Sequence, residues 1–143
     1  MANIEGGCLC GAIRYRFAGE PRARSLCHCN TCRRATGGPT VAWVVLPSTS
    51  FAFTAGTPTA FSSSPGIVRT FCGRCGTSLT YQRVAEGETI DVTTASLDSP
   101  DEFPPTREIW LSHKLVWEST NEAMAQYAHS SRDGAAPVRI RPQ

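Results

Sequence analysis

Residues 12–17 read Ala-Ile-Arg-Tyr-Arg-Phe, an alternation of apolar and polar positions that predicts a strand with one buried face. Residues 40–46 are apolar and β-branched and end at Pro47, the pattern of a more deeply buried strand. Phe51-Ala52-Phe53 and Thr59-Ala60-Phe61 predict short strands on either side of Gly56-Thr57-Pro58, a turn sequence. Residues 67–71, 78–82 and 89–94 predict three more, and 109–117 a last one around Lys114. Helical spacing is scarce. Residues 30–35 predict one turn stopped by Gly37-Gly38, and Ser119-Thr120-Asn121-Glu122 opens like a capped helix running to Tyr127. The expected class is mainly β: short antiparallel sheets with little helix.

The chain has 143 residues, which predicts one domain over 1–130 and a tail over 131–143, where Arg, Gly, Ala and Pro take over. The formal charge is +2. Seven ionised thiolates and two divalent ions would take that value to −1. A near-neutral surface without a basic stripe argues against a nucleic-acid partner. No apolar run reaches membrane-spanning length, and residues 1–5 lack the basic and apolar parts of a secretory signal, so a reducing cytoplasm is the expected location. The edges of short sheets permit a homodimer and demand none.

The cysteines change this picture most. All seven fall into three groups: Cys8-Leu9-Cys10, Cys27-His28-Cys29-Asn30-Thr31-Cys32 and Cys72-Gly73-Arg74-Cys75. Pairs at these spacings bridge poorly within themselves and suit a shared metal ion. Seven divides into a closed four-thiolate site and an open three-thiolate site, and an open zinc site accepts a ligand from outside. Cys8 and Cys10, read as i and i+2 of a strand, point together. With the Cys72/Cys75 knuckle they would close a gap of about 60 residues. Spacing alone also allows Cys8 and Cys10 to join Cys29 and Cys32 instead. A zinc with three thiolates suits a fourth, substrate thiolate, kept ionised near neutral pH. His28, between two ligands, faces away from them as a packing or substrate-contacting residue, and its ligation to the metal stays open. Arg33 and Arg34 either balance the thiolate charge or clamp a substrate carboxylate. Ser96 and Asp98, near Pro100, read as a turn. Trp110, His113 and Trp117 read as core or rim.

Gly6-Gly7-Cys8-Leu9-Cys10-Gly11, the Cys27–Arg34 motif, Phe71-Cys72-Gly73-Arg74-Cys75-Gly76-Thr77, Ala95-Ser96-Leu97-Asp98 and His113-Lys114-(x2)-Trp117 occur in that order. On these motifs the chain resembles the glutathione-dependent formaldehyde-activating enzyme family, also called centromere-protein-V-like, from about residue 6 to 117. The resemblance implies a β-tent fold and two zinc ions. It implies Cys8, Cys10, Cys72 and Cys75 as structural ligands, and Cys27, Cys29 and Cys32 as ligands of a catalytic zinc. The implied reaction is the reversible joining of glutathione and formaldehyde to S-(hydroxymethyl)glutathione, a carbon–sulfur lyase chemistry. On that reading a glutathione carboxylate meets Arg33 or Arg34, and a proton reaches the product from water, His28 or Ser96. The rival functions are a thiol-adduct carrier, a lyase acting on another thiol adduct, and a structural zinc domain for a protein partner.

Overall fold

The computed structural model describes residues 3–132 and 136–138. In chain order the strands and helix are β1 (Asn3–Gly7), β2 (Arg14–Ala18), β3 (Ala23–Cys27), α1 (Asn30–Thr36), β4 (Val41–Pro47), β5 (Phe51–Ala55), β6 (Thr59–Ser64), β7 (Ile67–Phe71), β8 (Ser78–Arg83), β9 (Thr89–Thr93), β10 (Arg107–Ile109) and β11 (Ala125–Gln126). The mainly β reading holds. Among the described residues no helix is long and apolar enough to cross a membrane.

Two compact units divide the chain: Met1–Ala23 with Val44–Phe103, and Arg24–Trp43 with Pro104–Gln143. The first unit carries an antiparallel three-stranded sheet, β1-β2-β5, and the antiparallel run β6-β7-β8-β9. In β2 the alternation does what it predicts: Tyr15 and Phe17 are fully buried while Arg16 is exposed. They join Ile13, Val44, Leu46, Leu79, Ile90, Val92, Leu97 and Phe103 in one apolar core, together with Cys8 and Cys72. Each large side chain buried in this way contributes about 1.5–3 kcal/mol before its ordering entropy is set against it.

The second unit is built differently. β10 pairs in parallel with β3 on one side and β11 on the other, so Ile109 lies opposite Cys27 and Glu108 opposite Gln126. α1 follows β3 almost at once. Cys29 is its N-cap, accepting a bond from the Cys32 N–H, and Gly37 ends it in the left-handed conformation (φ 77°) that a side chain would resist.

Three expectations change. The Cys8–Cys10 segment is a turn after β1, closed by Gly11 N–H to Cys8 O (3.1 Å), and not a strand. The strand expected over 109–117 stops at Ile109. Trp110 takes a left-handed conformation (φ 58°, ψ 40°), a 3-10 turn covers Leu111–His113, and Lys114 Nζ donates to the carbonyls of Leu115 and Glu118. The helix expected over 119–127 is absent: Asn121 Oδ1 accepts from Ala123 N–H (2.9 Å), an Asx turn, and residues 125–126 join β10. β1, β3 and β11 carry no sequence signal of their own, since their partners make them strands. Much of the expected 131–143 tail lies outside the described residues. Val138 N–H donates to Gln126 O (2.6 Å).

Candidate functional site

The first unit brings Cys8, Cys10, Cys72 and Cys75 together, with their sulfurs within 4.8 Å of one another. This resolves the choice that spacing left open. Cys8 Sγ lies 3.6 Å from Cys10 Sγ, which lies 3.8 Å from Cys72 Sγ. Four sulfurs bound tetrahedrally at about 2.3 Å from one ion stand about 3.8 Å apart, so the group has the size of a zinc–thiolate site. Backbone N–H groups already point at the sulfurs: Ile13 at Cys8 (3.2 Å), and Arg74 and Cys75 at Cys72 (both 3.4 Å). Gly76 (φ 82°) makes the knuckle turn possible, donating to Cys72 O (2.8 Å). Thr77 ties the two halves, because its hydroxyl oxygen accepts from Leu9 N–H (3.0 Å) and lies 3.3 Å from Cys75 Sγ. That hydroxyl, with the backbone N–H groups of Thr77 and Cys10, lowers the Cys75 thiol to about 5. At Cys10 the Ala12 N–H pulls downward, but desolvation and the three neighbouring thiols outweigh it and push the group to about 11. The surroundings therefore favour charge on Cys75 and a proton on Cys10. A divalent cation satisfies all four at once.

The second unit brings Cys27, Cys29 and Cys32 within the same 4.8 Å limit. Cys29 Sγ accepts from Cys32 N–H (3.4 Å) and lies 3.4 Å from Thr31 Oγ1, while Cys27 Sγ accepts from Cys29 N–H (3.5 Å). Hydrogen bonds from the Cys27 and Cys32 thiols hold Cys29 far below an ordinary thiol. Donating to Cys29 and Cys32 pushes Cys27 far up. Three soft donors on one short loop fit a divalent, thiophilic ion and leave a tetrahedral position for another ligand. Cys27 and Cys32 are buried and Cys29 is half-exposed, so access is from the Cys29 side.

His28 is fully buried and stands outside the thiolate group. Its Nε2 lies 3.0 Å from Glu108 Oε1, and Glu108, also fully buried, accepts at Oε2 from Asn121 N–H (3.0 Å) and Gln126 Nε2 (2.9 Å). The backbone repeats the connection, His28 N–H donating to Ile109 O (3.1 Å). Glu108, Asn121 and Gln126 carried no motif in the sequence. Their role exists because β10 and β11 lie beside β3.

Arg33 Nη2 donates to Asn30 Oδ1 (2.5 Å), and Arg33 and Arg34 line an open cleft with Gly37, Gly38, Pro39, Leu115 and Trp117. Ser96 and Asp98 are otherwise engaged. The Ser96 hydroxyl donates to Thr93 O (2.8 Å) and lies 2.7 Å from the Tyr15 hydroxyl, and Asp98 forms a two-point ion pair with Arg14. Tyr15 is raised to about 12 chiefly by burial, and Asp98 is held low by Arg14.

Residues 3–113 match the model of the family described as glutathione-dependent formaldehyde-activating enzyme. The chain belongs to that family. A Schizosaccharomyces pombe protein named as an uncharacterized lyase is 37% identical over 83 residues, 57% of this chain and 58% of its own length. The match thus spans little more than half of that relative. A Halomonas elongata protein whose name gives it to the same family is 28% identical over 124 residues, 80% of this chain and 78% of its own. A crystal structure of a Rhodobacter sphaeroides protein superposes with a TM-score of 0.55 at 23% identity, covering 66% of this chain and 87% of that one, a likeness of fold.

Proposed function

We propose that this protein is a zinc-dependent carbon–sulfur lyase-type enzyme that joins glutathione and formaldehyde reversibly at the Cys27–Cys29–Cys32 site. The observation that carries the reading is the difference in ligand count. The four-cysteine group is complete by itself, whereas the three-cysteine group leaves a position for a thiol and opens toward solvent at Cys29. A zinc ion held by Cys27, Cys29 and Cys32 would supply the charge that keeps a substrate thiol ionised near neutral pH. The chain's own residues do the rest. Arg33 and Arg34, on the helix that Cys29 caps, offer guanidinium groups to the substrate's carboxylates. The glutathione sulfur forms the C–S bond to the formaldehyde carbon, the C=O π pair moves to oxygen, and the alkoxide takes a proton from water. In this reading His28 holds the ligand loop and is not the proton donor, since its Nε2 is engaged with Glu108 and its ring is fully buried.

Thiols and formaldehyde also combine without a catalyst, so the test is a rate. Exchange NMR on zinc-loaded wild type is expected to show faster glutathione–formaldehyde exchange, and Cys29→Ser is expected to abolish the acceleration. Saturable glutathione binding with no acceleration by wild type would replace this reading with a carrier.

A further inference from the structure

We infer that His113 is a further catalytic residue: a neutral imidazole whose Nε2–H donates a hydrogen bond to the substrate oxygen. The inference rests on the proposed thiol–aldehyde chemistry and adds the group that meets the developing alkoxide.

Topology places His113 beside the loop that carries Cys27, Cys29 and Cys32. β3 and β10 run in parallel with Cys27 opposite Ile109, so the chain leaves both strands at the same end. One exit carries Cys27 to Cys32 and the other carries Trp110 to His113. The two exits touch: Asn30 N–H, next in the chain to Cys29, donates to His113 Nδ1 (3.3 Å). A backbone N–H can only donate, so Nδ1 is the bare nitrogen of the ring and the proton sits on Nε2. Among the described residues no hydrogen-bond partner takes that Nε2–H. Asn30 is engaged at both ends, by His113 at its backbone and by Arg33 at its side chain, which sets a donor and a cation around the residue that follows Cys29.

The ring is also held from behind. Trp110 adopts the one positive φ among the described non-glycine residues, a strained conformation for an aromatic residue. It brings the indole to 5.0 Å from the His113 ring and 5.4 Å from the His129 ring. His113 N–H donates to Trp110 O (2.9 Å), and the turn is tied to the 127–129 segment by Trp110 N–H to His129 O (2.9 Å), Leu111 N–H to Tyr127 O (3.1 Å) and Ser112 N–H to Ala128 O (3.0 Å). A half-buried imidazole fixed in one tautomer meets the requirement for an electrophilic donor. It acts without giving up its proton. As the C–S bond forms, negative charge gathers on the former carbonyl oxygen, Nε2–H stabilises it, and water supplies the proton that completes the hydroxymethyl group. In the reverse direction the same bond steadies the alkoxide as the C–S bond breaks.

The test compares zinc-loaded wild type, His113→Ala and His113→Gln by exchange NMR, with metal content measured for each. His113→Ala is expected to lower kcat about tenfold, with KM for glutathione and metal content unchanged. That loss is smaller than the roughly hundredfold or greater loss at a water-excluded oxyanion hole, because this ring is only half-buried. His113→Gln, which keeps an N–H donor, is expected to recover part of it. A second readout needs no turnover. In 15N-labelled wild type the His113 ring is expected to show the Nε2–H tautomer, with Nε2–H shifting on addition of S-(hydroxymethyl)glutathione but not of S-methylglutathione, which lacks only the oxygen. Wild-type exchange in His113→Ala, or an Nε2–H indifferent to the hydroxymethyl adduct, overturns the role of His113 and leaves the proposed function standing. Absence of acceleration by wild type removes both. Should His113→Ala lose its metal, the labelled wild type and His113→Gln decide.

Discussion

The four-cysteine group and the three-cysteine group use one ligand chemistry in opposite surroundings. Cys8 and Cys72 are part of the apolar core that holds Tyr15, Phe17, Leu46 and Leu79. There a metal, once bound, would close a long loop and brace packing that the hydrophobic effect already favours. Around Cys27, Cys29 and Cys32 the fully buried side chains are His28 and Glu108, with Gln126 nearly so, and hydrogen bonds specify the arrangement. An apolar surround tolerates volume-conserving exchange of one apolar side chain for another. A polar surround fixes one geometry, because each broken bond leaves a group buried without a partner. Cysteine count and surroundings go together: the four-cysteine group packs partly into the apolar core, and the three-cysteine group adjoins a buried hydrogen-bonded network.

The largest effect that can break this comparison is loss of a ligand. Cys72→Ser is expected to lose one metal per chain and at least about 3 kcal/mol of stability, while Cys29→Ser loses one metal with a far smaller change in melting. Thermal melts paired with metal analysis check this, and equal destabilisation would erase the proposed division of roles. Glu108→Ala comes next. It strips the acceptor from His28, Asn121 N–H and Gln126, and is expected to cost about 3 kcal/mol, with the loss concentrated in the second unit. Amide exchange should quicken over 24–43 and 104–132 before it does in β7 and β8; a uniform change would show that the polar network is not local. The smallest effect is Arg14→Ala, about 1 kcal/mol or less, since the Arg14–Asp98 pair is half-exposed. Asp98 is held below the ordinary carboxylate range in the fold. The pair therefore contributes fully above the unfolded carboxylate pKa, and the contribution disappears as pH falls through the lowered value. Urea melts at neutral and acidic pH should converge for wild type and variant on acidification, and a difference that stays constant with pH would assign the residue a packing role instead.

β2 was legible because a buried face writes itself into the chain at period two, and β4 because an apolar, β-branched run ends at Pro47. The cysteine groups were legible because thiols that could share one ion from a single loop must be neighbours in sequence. α1 was legible from its stop at Gly37-Gly38. β1 and β3 were not, since Asn-Ile-Glu-Gly-Gly and Ala-Arg-Ser-Leu-Cys become strands only beside a partner. The 119–127 segment looked helical because Ser119 to Glu122 resembles a helix cap, and parallel pairing with β10 overrode that local preference.

What the sequence determined by itself was therefore the mainly β class, the two kinds of cysteine group and the family they mark, all consequences of local spacing. Which cysteines share a site, where His28 finds its acceptor and why His113 stands beside Asn30 were decided by tertiary structure. Those contacts join residues about 60 to 80 positions apart (|i−j| of 62 for Cys10 and Cys72, 80 for His28 and Glu108, 83 for Asn30 and His113), and only strand pairing and packing bring such residues together.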